Sequence, residues 1–297
     1  MPVSITIPDI KTFHKQPYPG ISPSRPELSQ AGKTVLVLGG SISIGFAIAK
    51  AFVQASASHV IVTGRRQAVL DNAVAQLKSE AKGSATAVTG IVSDMADLEG
   101  SEKLWDSFKH DGLVIDVLVL NGVAAGEAKP ILEAGLEKIW KVFETNVRAL
   151  LDHTERFYKQ EASSKKYLVN VSTSAIHLFD TEAERLPTYA LTKNSGTLLI
   201  QQIAKDTKPE DMQVVSFHPG SVLSEAARSV GFDESSLDWD DENLPGQFAV
   251  WCASDEARFM HGRWLPAWWD IDEVKTADFR RRLESNYHFL RIGVVGV

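Results

Sequence analysis

The feature that most limits how this chain can fold is a series of short apolar segments, each followed by a stretch with helical spacing. TVLVLGG (34–40) leads into SIGFAIAKAFVQA, HVIVTG (59–64) into RQAVLDNAVAQLKSEA, and SATAVTGIVSD into LEGSEKLWDSFKH. IDVLVLNG (115–122) precedes a long helical stretch over about 131–160, and YLVNVST (167–173) precedes a helix around Tyr189. MQVVSFHPG (212–220) and GRWLPAWW (262–269) complete the series. The apolar segments lack a polar/apolar alternation, which predicts strands covered on both faces. Strands that alternate with helices predict a parallel arrangement. The expectation is an α/β, doubly wound fold: a seven-stranded, mostly parallel sheet with helices on both faces. In such sheets ligands bind beyond the carboxyl ends of the strands, so the polar residues after each strand carry the functional signal.

Composition narrows the function classes. The formal net charge is -7 and there are no basic runs, which argues against a nucleic-acid or anionic-membrane partner. The single cysteine, Cys252, can form neither an intramolecular disulfide nor a cysteine metal site, and no metal is expected. No apolar run reaches the length of a membrane span, and the N-terminus lacks the pattern of a signal peptide. A cytoplasmic protein acting on a small-molecule substrate is the expectation. Prolines 2, 8, 17, 19, 23 and 26 mark residues 1–32 as an irregular, partly extended arm, leaving 33–297 as one domain. Trp251, Trp264, Trp268 and Trp269 gather near the C-terminus, most of them expected to serve packing.

Two constellations carry chemistry. Tyr189 and Lys193, in PTYALTKNSG, are four apart on a helix and emerge on one face. A tyrosine with a free pKa of about 10 is a poor acid near neutrality. An ammonium one turn away favours the phenolate and lowers that pKa, giving a group that can protonate or deprotonate a substrate oxygen. Upstream, Gly39-Gly40-Ser41-Ile42-Ser43-Ile44-Gly45 leaves a strand and opens a helix, the geometry that aims backbone N–H groups at a pyrophosphate. At the end of the second strand, Thr63-Gly64-Arg65-Arg66 contains no acid to hold the two ribose hydroxyls of NAD; a guanidinium there can pair with a 2′-phosphate.

Together these motifs resemble the short-chain dehydrogenase/reductase family, single-domain type, over residues 34 to about 270, and the resemblance implies a Rossmann fold. The family carries T-G-x-x-x-G-x-G at the first turn. Gly39 and Gly45 match its outer glycines, Leu38 stands for the threonine and Ser43 for the middle glycine. The resemblance implies that Asp94 bonds the adenine amine with Met95 flanking the ring, and that Asn121 is the remnant of N-N-A-G. It assigns Asn146 to a helix irregularity and a water that joins the lysine to a proton path. VNVSTSA (169–175) matches V-N-x-S-S, so the hydroxyl that binds the substrate oxygen falls on Thr173 first and Ser172 second, with Ser174 a third candidate. His218-Pro219-Gly220-Ser221-Val222-Leu223-Ser224 matches P-G-x-x-x-T, which holds the nicotinamide amide. The acidic stretch 221–245 stands where a substrate lid usually lies. Gly262 to Asp270 carries a G-R-x-x-x-x-x-W-D pattern found in fungal members, which often act in secondary metabolism.

The reading is an oxidoreductase using NADP, with NADPH favoured over NADH, acting as a ketoreductase or alcohol dehydrogenase on a hydrophobic carbonyl or secondary alcohol. Its catalytic set is Tyr189, Lys193, Thr173, Ser172 and Asn146. Its cofactor set is Gly39, Ser41, Ser43, Ile44, Gly45, Arg65, Asp94, Met95, Asn121, Pro219, Gly220, Val222 and Ser224, with Tyr189 and Lys193. The family's pairing through two long helices implies a homodimer or homotetramer. Ser43 and the eroded N-N-A-G leave open a non-redox enzyme on this fold (a dehydratase, epimerase or cyclase) or a catalytically silent binding protein.

Overall fold

The computed structural model describes residues 7–161, 164–177 and 186–294. Seven strands form one sheet in the order β3-β2-β1-β4-β5-β6-β7: β1 (Thr34–Leu38), β2 (His59–Gly64), β3 (Ala87–Val92), β4 (Val117–Leu120), β5 (Lys166–Val171), β6 (Met212–His218) and β7 (Arg263–Pro266). Every pairing between neighbours is parallel, as in Val37 opposite Val62 and Leu38 opposite Leu120. β1, β4, β5 and β6 are buried at every residue, the reason their sequences lack alternation. Chain order reverses between β1 and β4, and the crevice beyond their carboxyl ends is the place such a sheet offers a ligand.

Helices α1 (Ser43–Gln54), α2 (Gln67–Glu80) and α3 (Leu98–His110) follow the first three strands within a residue or two of their sequence limits. The stretch 131–160 differs from the single long helix expected. It contains α4 (Ile131–Ala134), α5 (Leu136–Phe143), a π turn over Glu144–Arg148 and α6 (Ala149–Lys159). Gly135, at φ 81° and ψ 158°, ends α4 because that conformation cannot continue a helix. The π turn holds Asn146. Beside it, α7 (Pro187–Asp206) crosses so closely that a Cβ on Gly196 would lie 2.4 Å from the Asn146 carbonyl oxygen. Short helix α8 (Glu225–Ser229) precedes α9 (Asn243–Cys252), which packs on α1 with Gly246 against the Ala47 carbonyl. Two more, α10 (Ile271–Val274) and α11 (Ala277–Ser285), close the chain.

The proline-rich arm is built into the core. Pro19 and Pro26 each start a one-turn 3₁₀ helix, where a missing N–H is harmless, and Ile10, Tyr18, Ile21 and Leu28 are buried with α9 and the C-terminal helices. The Tyr18 hydroxyl donates to the Trp269 carbonyl (2.9 Å) and accepts from the Ile271 N–H (3.2 Å). Burial pushes the Tyr18 phenol well above its ordinary pKa, keeping it neutral. Arg25 bridges to Glu256, which also receives Lys275. Trp251, Trp264 and Trp269 are fully buried, in keeping with a packing role. Replacing Tyr18 by Phe removes the acceptor of the Ile271 N–H inside the core, so Tyr18→Phe is expected to lower unfolding free energy by about 2 kcal/mol in urea titration; an unchanged midpoint would mean the arm is not anchored there.

Candidate active site

The cleft begins at the turn from β1 to α1. The Asn121 side-chain amide donates to the Gly39 carbonyl oxygen (2.9 Å), and the Gly39 N–H donates to the Thr63 hydroxyl (3.2 Å). A Cβ on Gly45 would lie 2.0 Å from the Gly39 oxygen, so no larger residue fits there. No side chain caps α1, and its opening N–H groups face the crevice. Ser43 sits at φ 47°, the left-handed region that explains why a glycine is usual at this position. Its hydroxyl does not turn toward the crevice floor alone; it accepts the Glu225 N–H (3.2 Å) from the start of α8. The Arg66 guanidinium reaches the Glu225 carboxylate (2.8 Å) and holds that carboxyl below its usual range. A serine hydroxyl and an ion pair thus tie α8 across the mouth of the turn.

This mouth opens on a cavity of about 470 Å³ lined by Gly39, Ser41, Ser43, Ile44, Gly45, Arg65, Asp94, Met95 and Asn121. Its size suits a drug-sized or cofactor-sized ligand. Arg65 makes no hydrogen bond or ion pair among the described residues and faces this space from the end of β2. Asp94 folds a local turn by accepting the Ala96 N–H (3.0 Å), whereas Asp97 caps α3. Met95 is buried with its sulfur packed on Gly122; a Cβ there would lie 2.3 Å from Sδ. Sequence reading missed Arg66, Glu225, Thr145 and Ser93 on this lining. Arg66, Thr145 and Glu225 each adjoin a motif residue (Arg65, Asn146 and Ser224), but none belongs to a motif pattern that marks it.

A second cavity of about 210 Å³ continues from the first, sharing Ile44, Asn121, Val123, Ala125, Ser224 and Ala226. Tyr189, Lys193, Ser172, Thr173, Pro219, Gly220 and Val222 line it. Lys193 is buried, and its Nζ donates to the Val171 carbonyl at the end of β5 (2.6 Å). Burial lowers its pKa from 10.5 to about 8. The three candidate hydroxyls separate: Ser172 Oγ is engaged with Thr197 Oγ1 (2.7 Å), and Ser174 does not line the cavity. Thr173 Oγ1 accepts the Ala175 N–H at 3.3 Å, which leaves its hydrogen available to donate. Ser224 caps α8 through the Ala227 N–H (3.1 Å) while lining both cavities. The loop that separates Ser174 from Tyr189 includes 178–185, which lies outside the described residues.

Asn146 lies behind the cavities and does not line either. Its Nδ2 donates to the Ala124 carbonyl (2.8 Å) and to Thr192 Oγ1 (2.9 Å), and its Oδ1 accepts the Ala124 N–H (2.9 Å). The amide therefore braces the segment after β4 against α7, which carries Tyr189 and Lys193. His218 is buried at the end of β6 beside Trp264 and Trp268 and lines the second cavity, and burial lowers its pKa to about 3, so it stays neutral.

Residues 33–235 match the family model for short chain dehydrogenases. The chain belongs to that family and is an NAD(P)-dependent oxidoreductase. It is similar to the short chain dehydrogenase/reductase nsrO of Aspergillus novofumigatus, 30% identical over 291 residues covering 96% of both chains. It is also similar to a short chain dehydrogenase/reductase of Claviceps purpurea, 29% identical over 287 residues, covering 96% of this chain and 94% of that one. Among solved structures, the Pseudomonas aeruginosa RhlG/NADP complex matches with a TM-score of 0.71 at 20% identity, over 86% of this chain and 99% of its own. An NAD+-bound xylitol dehydrogenase matches with a TM-score of 0.67 at 20% identity, over 80% and 98%. These two share the fold and were solved with different dinucleotides. No helix among the described residues is long and apolar enough to cross a membrane.

The buried ammonium has a stability signature. Folded Lys193 releases its proton near pH 8, whereas the unfolded side chain holds it to about 10.5. Below pH 8 both forms are charged and the buried charge opposes folding. Between these values the unfolded state binds more protons, so folding becomes more favourable as pH rises. Lys193→Met is expected to raise unfolding free energy at pH 7 by up to about 3 kcal/mol, with the gain shrinking through this window. Urea denaturation across pH 7–10 reads it; a destabilised variant at pH 7 would contradict the account.

Proposed function

We propose that the protein is an NADP-linked ketoreductase that converts a hydrophobic carbonyl compound to a secondary alcohol, with the same residues serving the reverse oxidation. The observation that carries this reading is continuity: Tyr189, Lys193 and Thr173 open on the same cleft as the uncapped start of α1. The glycine-tight turn, with Ser41, Ile44 and Asn121, would hold the dinucleotide phosphates. Asp94 and Met95 would hold its adenine end, and Pro219, Gly220, Val222 and Ser224 its nicotinamide end. Arg65 would pair with a 2′-phosphate, which favours NADPH over NADH.

When bound, the nicotinamide supplies the hydride that reaches the carbonyl carbon. The chain's own residues manage the oxygen. Thr173 donates its hydroxyl hydrogen as negative charge grows there, with Ser172 beside it, its Oγ within hydrogen-bond distance of Thr197 Oγ1. Tyr189 then gives that oxygen its proton. The Lys193 ammonium, one turn along α7, favours the phenolate and makes Tyr189 a stronger acid. Asn146 keeps α7 in register with the segment after β4 and supports the water path that resupplies the proton. The 221–245 segment serves as the substrate lid. Its Val230, Phe232, Leu237 and Trp239 line the substrate side, which supports a hydrophobic substrate. Likeness to fungal members of the family supports a secondary metabolite.

A second copy of this chain is the partner we infer, as a homodimer or homotetramer. Leu151 and Tyr158 on α6, and Leu191 and Leu198 on α7, are exposed at seven-residue spacing, which supports pairing through these helices.

Tyr189→Phe tests the chemistry. Removing the only acid assigned to the substrate oxygen is expected to lower kcat at least about 1000-fold, while NADPH affinity stays within about threefold. Stopped-flow reduction of a panel of hydrophobic ketones, with NADPH titration in parallel, separates the two. Turnover that survives the substitution would overturn the acid assignment.

A further inference from the structure

The 221–241 segment contacts its surroundings in alternation along the chain. Leu237 and Trp239 line the substrate-side cavity. Asp238, between them, turns away: its carboxylate pairs with Lys15, and its carbonyl accepts from Lys15 Nζ (2.9 Å). Asp240 turns back beneath the loop after β6. Its carboxylate accepts the Ser221 N–H (2.7 Å), and its own N–H donates to the Ser221 carbonyl (2.8 Å). The same carboxylate fills the space beside Gly220, 2.7 Å from where a Cβ would sit. The Asp241 N–H then donates to the Lys15 carbonyl (2.8 Å). The Trp239 ring stands edge-on to Phe232, with centroids 6.0 Å apart, and its Nε1 donates to the Asp233 carbonyl (2.9 Å).

Lys15 is itself held from the opposite direction. The His14 N–H donates to the Trp268 carbonyl (2.8 Å), and the His14 imidazole lies 2.8 Å from the Asp270 carboxylate and stacks on Tyr18 at 3.7 Å. The arm is therefore a strut between the buried C-terminal segment and a surface segment whose other polar fastenings described above are at Ser221 and, through Ser43 and Arg66, at Glu225. Surface segments with few fixed points sample many conformations, so a second fastening narrows where Leu237 and Trp239 can stand. The arm also precedes the family match, which begins at residue 33.

We propose that the N-terminal arm is part of the substrate-binding apparatus, with Lys15, anchored through His14, a positioning residue that fixes Leu237 and Trp239 in the cavity wall and so sets which hydrophobic substrates fit. This inference rests on the reading of that cavity as the substrate side. Lys15 touches no substrate; it acts through the wall.

The test compares wild type, Lys15→Arg, Lys15→Ala and the His14→Ala/Lys15→Ala double variant. The double variant is included because the residue 15 carbonyl still accepts from Asp241 after a side-chain change there, and the His14 ring holds that stretch of the arm against Asp270 and Tyr18. Hydrogen–deuterium exchange without substrate is expected to speed up over 237–241 in the double variant, while β1 and α1 exchange as in wild type. For any hydrophobic ketone that wild type reduces, KM is expected to rise about fivefold in the double variant with kcat changing less than twofold, less in Lys15→Ala, and Lys15→Arg retaining wild-type behaviour. Unchanged exchange over 237–241 in the double variant would overturn the proposal, as would exchange that rises equally throughout the sheet. Failure of wild type to reduce any ketone would fall on the ketoreductase reading alone, because the exchange measurement decides the arm's role without turnover.

Discussion

The carbonyl oxygen of Gly39 is the point on which the cleft is built. It accepts the Asn121 amide from the end of β4, and it lies so close to Gly45 that a single added carbon would collide with it. One oxygen therefore joins β1, β4 and the start of α1, the three pieces that border the crevice. Because the two neighbouring strands leave their carboxyl ends side by side before the chain diverges, the crevice opens there and the opening N–H groups of α1 face into it. The same demand for close approach explains why Gly45 is retained while Ser43, whose side chain points to α8, is tolerated.

Placement of charge follows from that framework. The Lys193 ammonium is taken out of water and given a carbonyl at the end of β5, a costly position that the proposed Tyr189 chemistry accounts for. Functional groups held at such a cost are common where activity and stability compete. Asn146 contributes from behind, spending its amide on Ala124 and Thr192 so that α7 cannot slide relative to the segment after β4. A π turn is what lets that side chain face inward at this depth, and the Gly196 contact shows how little room the crossing leaves.

The strands and the first three helices were readable because their signals are local: continuous apolar runs for strands buried on both faces, and helical periodicity between them. The glycine-rich turn and the Tyr189–Lys193 pair stand out in the sequence because the chemistry proposed for them fixes residue type and spacing. Other features depend on partners far along the chain. Proline content marked the arm as irregular, but the burial of Ile10, Tyr18, Ile21 and Leu28 depends on Trp269, Ile271 and Glu256, more than two hundred residues away. Ser43 looked like a defect in a glycine motif until its hydroxyl found Glu225. The helical stretch 131–160 read as continuous because neither Gly135 nor a π turn breaks the apolar periodicity. Ser172 and Thr173 are chemically alike in sequence; the Thr197 hydroxyl beside Ser172 is a difference that only the folded chain reveals.

The central claim is that this cleft holds a nicotinamide dinucleotide with its 2′-phosphate at Arg65. Titration of the purified protein with NADPH and then NADH, followed by tryptophan quenching and nicotinamide fluorescence, tests it most directly. The account predicts saturable NADPH binding and NADH binding at least about tenfold weaker, the worth of one well-placed charged contact. Equal affinities would contradict the role of Arg65, and no binding of either would mean that the Ser43 turn is closed to a dinucleotide.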